Sequence, residues 1–142
     1  MSIVAGEAKK ILYYSEGPRA PEVIGANERA LRKVTNGARY SIETALGNPE
    51  RTFLDKDISG YHAIVVDASS VNVDDVVAAL QMARESGKYQ GEVIFVYSES
   101  IPAGIRDVNA TRIKTKAGDY LDRDAALEIA RTLGLVSREG RA

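Results

Sequence analysis

Short apolar runs alternate with amphipathic stretches along this chain, and turn residues stand between them. Lys10-Ile11-Leu12-Tyr13-Tyr14 is a β-branched and aromatic run that predicts a first strand. Ser15 to Ala20 carries Gly17-Pro18 and reads as a loop, and Pro21 suits the first turn of a helix, where its missing N–H loses no partner. That helix is expected to turn Val23, Ile24, Ala30, Leu31 and Val34 inward and to stop at a left-handed cap, Asn36-Gly37. Arg39 to Ala45 alternates as an edge strand does, with Tyr40 and Ile42 on one side and Arg39, Ser41 and Glu43 on the other. Asn48-Pro49 opens a short helix through Phe53 and Leu54, which Ser59-Gly60 breaks.

Tyr61 to Asp67 is a continuous apolar run closed by an acid, the pattern of a strand covered by helices on both faces. Asn72 caps the following helix, with Asp74 and Asp75 in the first turn, where the helix dipole favours acids. Val76, Val77, Leu80 and Ala83 form its buried stripe. Glu92 to Tyr97 predicts a second central strand, and Pro102 with Gly104 limits Ile101 to Val108 to a short helix. The fifth strand falls at Ala110 to Thr115 or, alternatively, at Gly118-Asp119-Tyr120-Leu121, which would put Arg123 at its end. Asp122 or Asp124 caps a last helix with Ala126, Leu127, Ala130 and Leu133 inward, ending at Gly134. Repeated strand–helix–strand units imply right-handed crossovers and a mostly parallel sheet. No internal repeat or linker interrupts them, so residues 1–142 read as one α/β domain with flexible ends at 1–8 and 137–142.

Composition narrows the function. The length of 142 residues suits one core, and 44% hydrophobic with 27% charged residues is the balance of a folded domain. With 19 basic against 20 acidic residues the net charge is −1, which argues against a nucleic-acid or membrane-surface binder. There is no cysteine, which removes disulfides, thiolate catalysis and cysteine-held metals. His62 is the single histidine and falls early in a strand, away from its carboxyl edge, so it reads as a structural or surface residue. The start of the chain lacks the apolar run of a signal peptide, and no stretch approaches the roughly 20 residues of a membrane span. A cytoplasmic location is expected.

Ligands of such sheets sit beyond the carboxyl ends of the strands. That rule selects Ser15 to Arg19, Asp67 to Asn72, Ser98 to Ile101 and Lys114 to Gly118. Asp67 is the sharpest candidate: a carboxylate there can accept a phosphoryl group or help hold a divalent ion. Its plainer role is to bond its own backbone in the turn Asp67-Ala68-Ser69-Ser70. Gly17, Arg19 and Ser69 are the candidate cofactor-binding residues; Gly17-Pro18-Arg19 would offer N–H groups and a guanidinium to a phosphate, without the Gly-Lys-Ser/Thr ending of a P-loop. Arg29, Arg32 and Lys33 read as the solvated face of the first helix. Most of the seven tyrosines are expected in the core with hydroxyls at its rim.

The run Tyr61 to Asp67 resembles the third strand of the receiver domain of bacterial response regulators, with Asp67 in the phosphoacceptor position, and Val93 to Ser98 resembles their fourth, with Ser98 as the switch hydroxyl. The resemblance implies a flavodoxin-like, doubly wound, five-stranded parallel sheet of order 2-1-3-4-5. It further implies magnesium held by Glu16 and Asp67, Lys114 or Lys116 as the cation after the fifth strand, a protein partner, and a homodimer through the last helix. The chain departs from the pattern where Tyr14-Ser15-Glu16 supplies one glutamate instead of an acidic pair, and neither lysine is followed by proline. This implies a pseudo-receiver, a signalling or protein-interaction module with phosphorylation slow or absent, rather than an enzyme.

A second resemblance, to TIR-like and nucleoside deoxyribosyltransferase-like domains, rests on Asp57-Ile58, Val66-Asp67-Ala68-Ser69, Gly87-Lys88 and Ile101 to Arg106. It implies a nucleotide-binding protein that has lost its catalytic carboxylate. The matching position is Ala79, and Glu85 lies near the far end of the same helix.

Overall fold

A computed structural model of the chain describes residues 9–35, 40–69, 71–98, 103–105, 109–116 and 120–135. The expected flexible ends and the cap at Asn36-Gly37 lie outside these residues. The elements are β1 (Lys9–Ser15), α1 (Ala20–Val34), β2 (Tyr40–Leu46), a π-helical turn (Arg51–Asp55), β3 (Ala63–Asp67), α2 (Val73–Glu85), β4 (Glu92–Tyr97), a 3-10 turn (Ala103–Ile105), β5 (Thr111–Lys114) and α3 (Arg123–Thr132). The five strands form one sheet in the order β2-β1-β3-β4-β5, and every pair is parallel, so the flavodoxin-like order expected from sequence holds.

The pleat explains why the central strands are apolar throughout. Alternate residues point to opposite faces. Ile11, Tyr13, Ala63, Val65, Ile94 and Val96 meet α1 and α3, while Leu12, Tyr14, Ile64, Val66, Val93 and Phe95 meet α2 and the π-helical turn. β2 and β5 are the edges; β2 alternates from Tyr40 to Glu43, and Ala45 then packs on the α2 side.

Each helix buries one stripe. α1 buries Ala20, Val23, Ile24, Asn27 and Leu31, so the expected inward residues Ala30 and Val34 fall on its shoulder and are only half-buried. The Asn72 side chain caps α2 by accepting the Asp75 N–H at 3.3 Å, and Ala79 joins the predicted stripe. Of the two candidate caps for α3 it is Asp122 that serves, accepting the Ala125 N–H at 2.8 Å. A cap there sets the buried stripe at Ala125, Ala126, Ile129 and Ala130, which leaves Leu127 half-buried rather than inward.

Other expectations need correction. The fifth strand is Thr111–Lys114, which pairs with Ile94 to Tyr97 and buries Ile113. Of the alternative at Gly118 to Leu121, Gly118 and Asp119 lie outside the described residues, Tyr120 makes an isolated bridge, and Arg123 opens α3. Tyr61 and His62 precede β3; His62 is exposed, and its Nδ1 accepts the Lys10 N–H at 3.1 Å at the amino edge of the sheet. The short helix after Pro49 widens into the π-helical turn, which buries Thr52 and Phe53. Among the described residues no helix is long and apolar enough to cross a membrane.

Candidate functional site

The register Tyr13↔Val65 and Tyr14↔Val66 carries on to set Ser15 beside Asp67 at the carboxyl ends of β1 and β3. Both residues are buried, Asp67 with 1% of its surface exposed. The Ser15 hydroxyl donates to Asp67 Oδ2 at 3.4 Å, and the Ser69 N–H donates to Oδ1 at 3.3 Å. Asp67 thus bonds its own turn, as aspartate does at such corners. The Ala68 N–H reaches the Val96 carbonyl at 2.8 Å and extends the ladder past the carboxylate. Ser69 and Ser98 hydroxyls then lie 3.4 Å apart across the ends of β3 and β4. Lys114 ends β5 level with Tyr97 and is exposed; Lys116 is also exposed and gives its backbone N–H to Asp122 Oδ2 at 2.7 Å.

Glu16 takes a different direction. Ser15 shares the parity of Tyr13 and Val65 and so belongs to the α1/α3 side; the next residue turns to the α2 side. There Glu16 Oε1 accepts the Asn72 N–H at 3.1 Å, and Oε2 accepts from the Tyr14 hydroxyl, whose single proton also lies against the Gly47 carbonyl. Burial pushes the Tyr14 hydroxyl far above the ordinary tyrosine range, and the Glu16 bond and charge add to it, with Asp75 behind them. Gly17 adopts a left-handed φ of +99°, and its carbonyl accepts the Ala20 N–H at 3.2 Å, which turns the chain into α1. Arg19 is exposed at the mouth of α1 and donates to the Tyr120 hydroxyl at 2.7 Å, with Glu22 at 3.9 Å.

Magnesium demands near-octahedral oxygen ligation. Asp67 and Glu16 lie on opposite sides of the pleat, and both Glu16 oxygens are held by Asn72 and Tyr14. Among the described residues no group of three His, Cys, Asp or Glu side chains could hold a metal ion.

Glu16 lines a cleft of about 720 Å³ between the segment after β2 and α2. Glu16, Glu50 and Asp75 are its acids, Leu54 and Ala79 part of its apolar wall, and Met82, 56% exposed, its rim. Ala79 is buried in that wall, and Glu85 stands exposed farther along α2.

Sequence reasoning missed Asn27. Its Nδ2 donates to the Tyr13 hydroxyl at 2.9 Å, and its Oδ1 accepts the Leu121 N–H at 2.9 Å, which ties α1 to β1 and to the entry of α3. The signal was present: an amide sits between Val23, Ile24 and Leu31 on the stripe of an otherwise apolar helix face. Buried amides are found bonded, and this one is.

No family model matches the sequence, nor does any curated protein. Solved structures do match. The chain is similar to a chemotaxis response regulator of Vibrio cholerae (TM-score 0.62, 14% identity, covering 89% of this chain and 99% of that one). It is similar to a two-component response regulator from Legionella pneumophila (TM-score 0.62, 16% identity, 92% and 100%). A pilus assembly-related protein from Burkholderia pseudomallei matches as well (TM-score 0.62, 14% identity, 92% and 92%). At these identities the likeness establishes the fold alone, the doubly wound five-stranded parallel sheet that these proteins share.

Proposed function

We propose that the chain is a pseudo-receiver: a receiver-like signalling module that acts through protein contacts, without phosphoryl transfer to Asp67. The observation that carries this reading is the parting of the two carboxylates, with Asp67 buried against Ser15 and Ser69 and Glu16 bound to Tyr14 and Asn72 on the other side of the pleat. In this reading Asp67 is a structural clasp between β1, β3 and the turn that follows. Ser98 completes the turn surface through Ser69, and Lys114 and Lys116 are solvated cations. Support also comes from the company of the fold, which serves response regulators and a pilus assembly-related protein alike.

The test is intact mass after incubation with magnesium and acetyl phosphate, with Asp67→Asn as control. An unchanged mass is expected for both proteins. A gain of one phosphoryl group that the control lacks overturns the reading; Ser98 would then be the switch hydroxyl and Lys114 or Lys116 the cation.

One observation favours a second reading. The cleft that holds Ala79 also contains Glu16, Glu50 and Asp75, so a carboxylate does face the place where a nucleoside-type ligand would sit. Thermal shifts with a panel of nucleosides and nucleotides test it. A shift abolished by Glu50→Gln supports a ligand site, and no shift across the panel removes it.

A further inference from the structure

Several cations of this chain are paired within their own helix: Arg19 with Glu22, Arg32 with Glu28, and Arg131 with Glu128. Arg29, Lys33 and Arg123 are exposed and, among the described residues, belong to no ion pair. They converge on one groove of about 440 Å³ between α1 and the entry of α3. Its floor includes Ala30, Val34 and Leu121. Ala30 and Val34 are the residues that sequence periodicity expected inside; half-buried, they pack on the edge of the core and also line this groove.

Lys33 gains from standing in the last turn of α1, but the arrangement has two unfavourable features. Arg29 and Lys33 are like charges four residues apart on a helix, which repel. Arg123 is the first residue of α3, where the helix dipole favours acids rather than cations. No described acid lines the groove to compensate. A local basic rim around an apolar floor, on a chain whose net charge is −1, is a complement waiting for charge of the other sign.

We infer that the groove docks an acidic amphipathic segment of a partner protein: a short helix that lays an aliphatic side chain on Ala30, Val34 and Leu121 and points carboxylates at Arg29, Lys33 and Arg123. Helix-in-groove recognition uses this division of labour, with apolar anchors for contact and charges for orientation. The volume falls within the ordinary range for ligand clefts and accommodates such an anchor. A nucleic-acid backbone would leave the apolar floor unused. The inference deepens the pseudo-receiver reading by naming a partner chemistry. It is measured without a phosphodonor, so the mass experiment on Asp67 and this one fail independently.

The test is a titration of the isotopically labelled full chain, read by backbone amide shifts at low salt. The probe is a synthetic helical peptide of about 14 residues with leucine on one face and glutamate on the other. Shifts at Ala30, Val34 and Leu121 are expected. Arg29→Glu with Lys33→Glu, both at exposed positions, should weaken binding at least about tenfold with the thermal midpoint preserved. Controls are the same peptide with lysine for glutamate, the same peptide with serine for leucine, a duplex DNA and phosphatidylserine vesicles. The inference is overturned by any of four results: no shift at millimolar peptide; equal binding by the charge-reversed chain; equal binding by the serine peptide, which would mean unspecific charge attraction; or tighter binding of the DNA or vesicles. Concentration-dependent shifts at the same amides without peptide would make a second copy the occupant and overturn it too.

Discussion

On the α2 side of the sheet, Tyr14, Phe53 and Phe95 pack a core rich in aromatic volume, with the Tyr14 and Phe53 rings 4.9 Å apart, and acids gather at its mouth. On the α1/α3 side the core is mostly aliphatic around Tyr13 and Tyr40, an amide is inserted in its middle, and the charges at the surface groove are basic. Two faces of one sheet are therefore secured differently. The first holds its layers together mainly by volume, which is tolerant of small shifts. The second fixes where α1 and α3 sit through directional bonds from Asn27, which are not.

The largest effect should come from volume. Phe95→Ala empties a fully buried site on the α2 side and should lower unfolding free energy by about 3–5 kcal/mol in a urea titration. A loss below about 1 kcal/mol would show that this side collapses around the hole and that the contrast is overdrawn. Next is Asn27→Ala, which leaves the Tyr13 hydroxyl and the Leu121 N–H to find other partners. A cost of about 2 kcal/mol is expected, together with faster hydrogen exchange at Leu121; unchanged exchange would show that the staple does not position the α3 entry.

Smaller effects sharpen the comparison. Asp122→Ala should cost about 1 kcal/mol at neutral pH through loss of the α3 cap. The Ala125 N–H bond holds the Asp122 carboxyl below its usual range, with the Lys116 N–H and Thr115 hydroxyl assisting. A depressed carboxyl contributes stability that is full above its unfolded value, near 3.9, and is lost as pH falls through the folded value. Asp122→Asn keeps the cap without the titration, so its stability relative to the native chain should rise as pH drops through that window. An unchanged difference would deny the linkage. On the α2 side, burial first and then the Glu43 bond and charge push the Tyr61 hydroxyl up to about 12. Its contribution is full below the ordinary value near 10 and fades as pH rises through the folded one. Ultraviolet titration should show a step near 12, ahead of the more strongly raised Tyr14 and Tyr89, that is missing in Tyr61→Phe and moved down in Glu43→Gln; a Tyr61 step near 10 would remove the effect.

The fold was legible because periodicity reports burial directly. β3 and β4 are continuous apolar runs because both faces are covered, and Asn72 announced α2 because only a side-chain acceptor satisfies its first free N–H groups. What periodicity does not report is the width of the covered stripe. Ala30, Val34 and Leu127 have the right character for a core and the wrong angle about their helices, since the position of each stripe depends on the neighbouring layer. The site was half legible. Asp67 and Ser98 were placed at one sheet edge from strand ends alone. The direction of Glu16 was not, because one residue past a strand the pleat decides which side a carboxylate enters, and of the two groups that hold it, the Tyr14 hydroxyl and the Asn72 N–H, the second is remote in sequence. Asn27 was passed over because the inward stripe of α1 was drawn from its apolar residues alone, and the partners of the amide, Tyr13 and Leu121, lie on other elements.

All four strand pairings are parallel, and none is joined by a hairpin. Each pair must wait for an entire crossover to be made and folded back before its first rung can close. The helices are then the only elements able to form early from local contacts. β1 leaves the ribosome before its neighbours and, lying between β2 and β3, must keep both its edges open until each of them arrives. Sheet assembly in this chain is thus a late, collective event, slow for its size in the manner of folds dominated by distant contacts. The newly made chain is at its most vulnerable while the Ile11 to Tyr14 segment has neither partner.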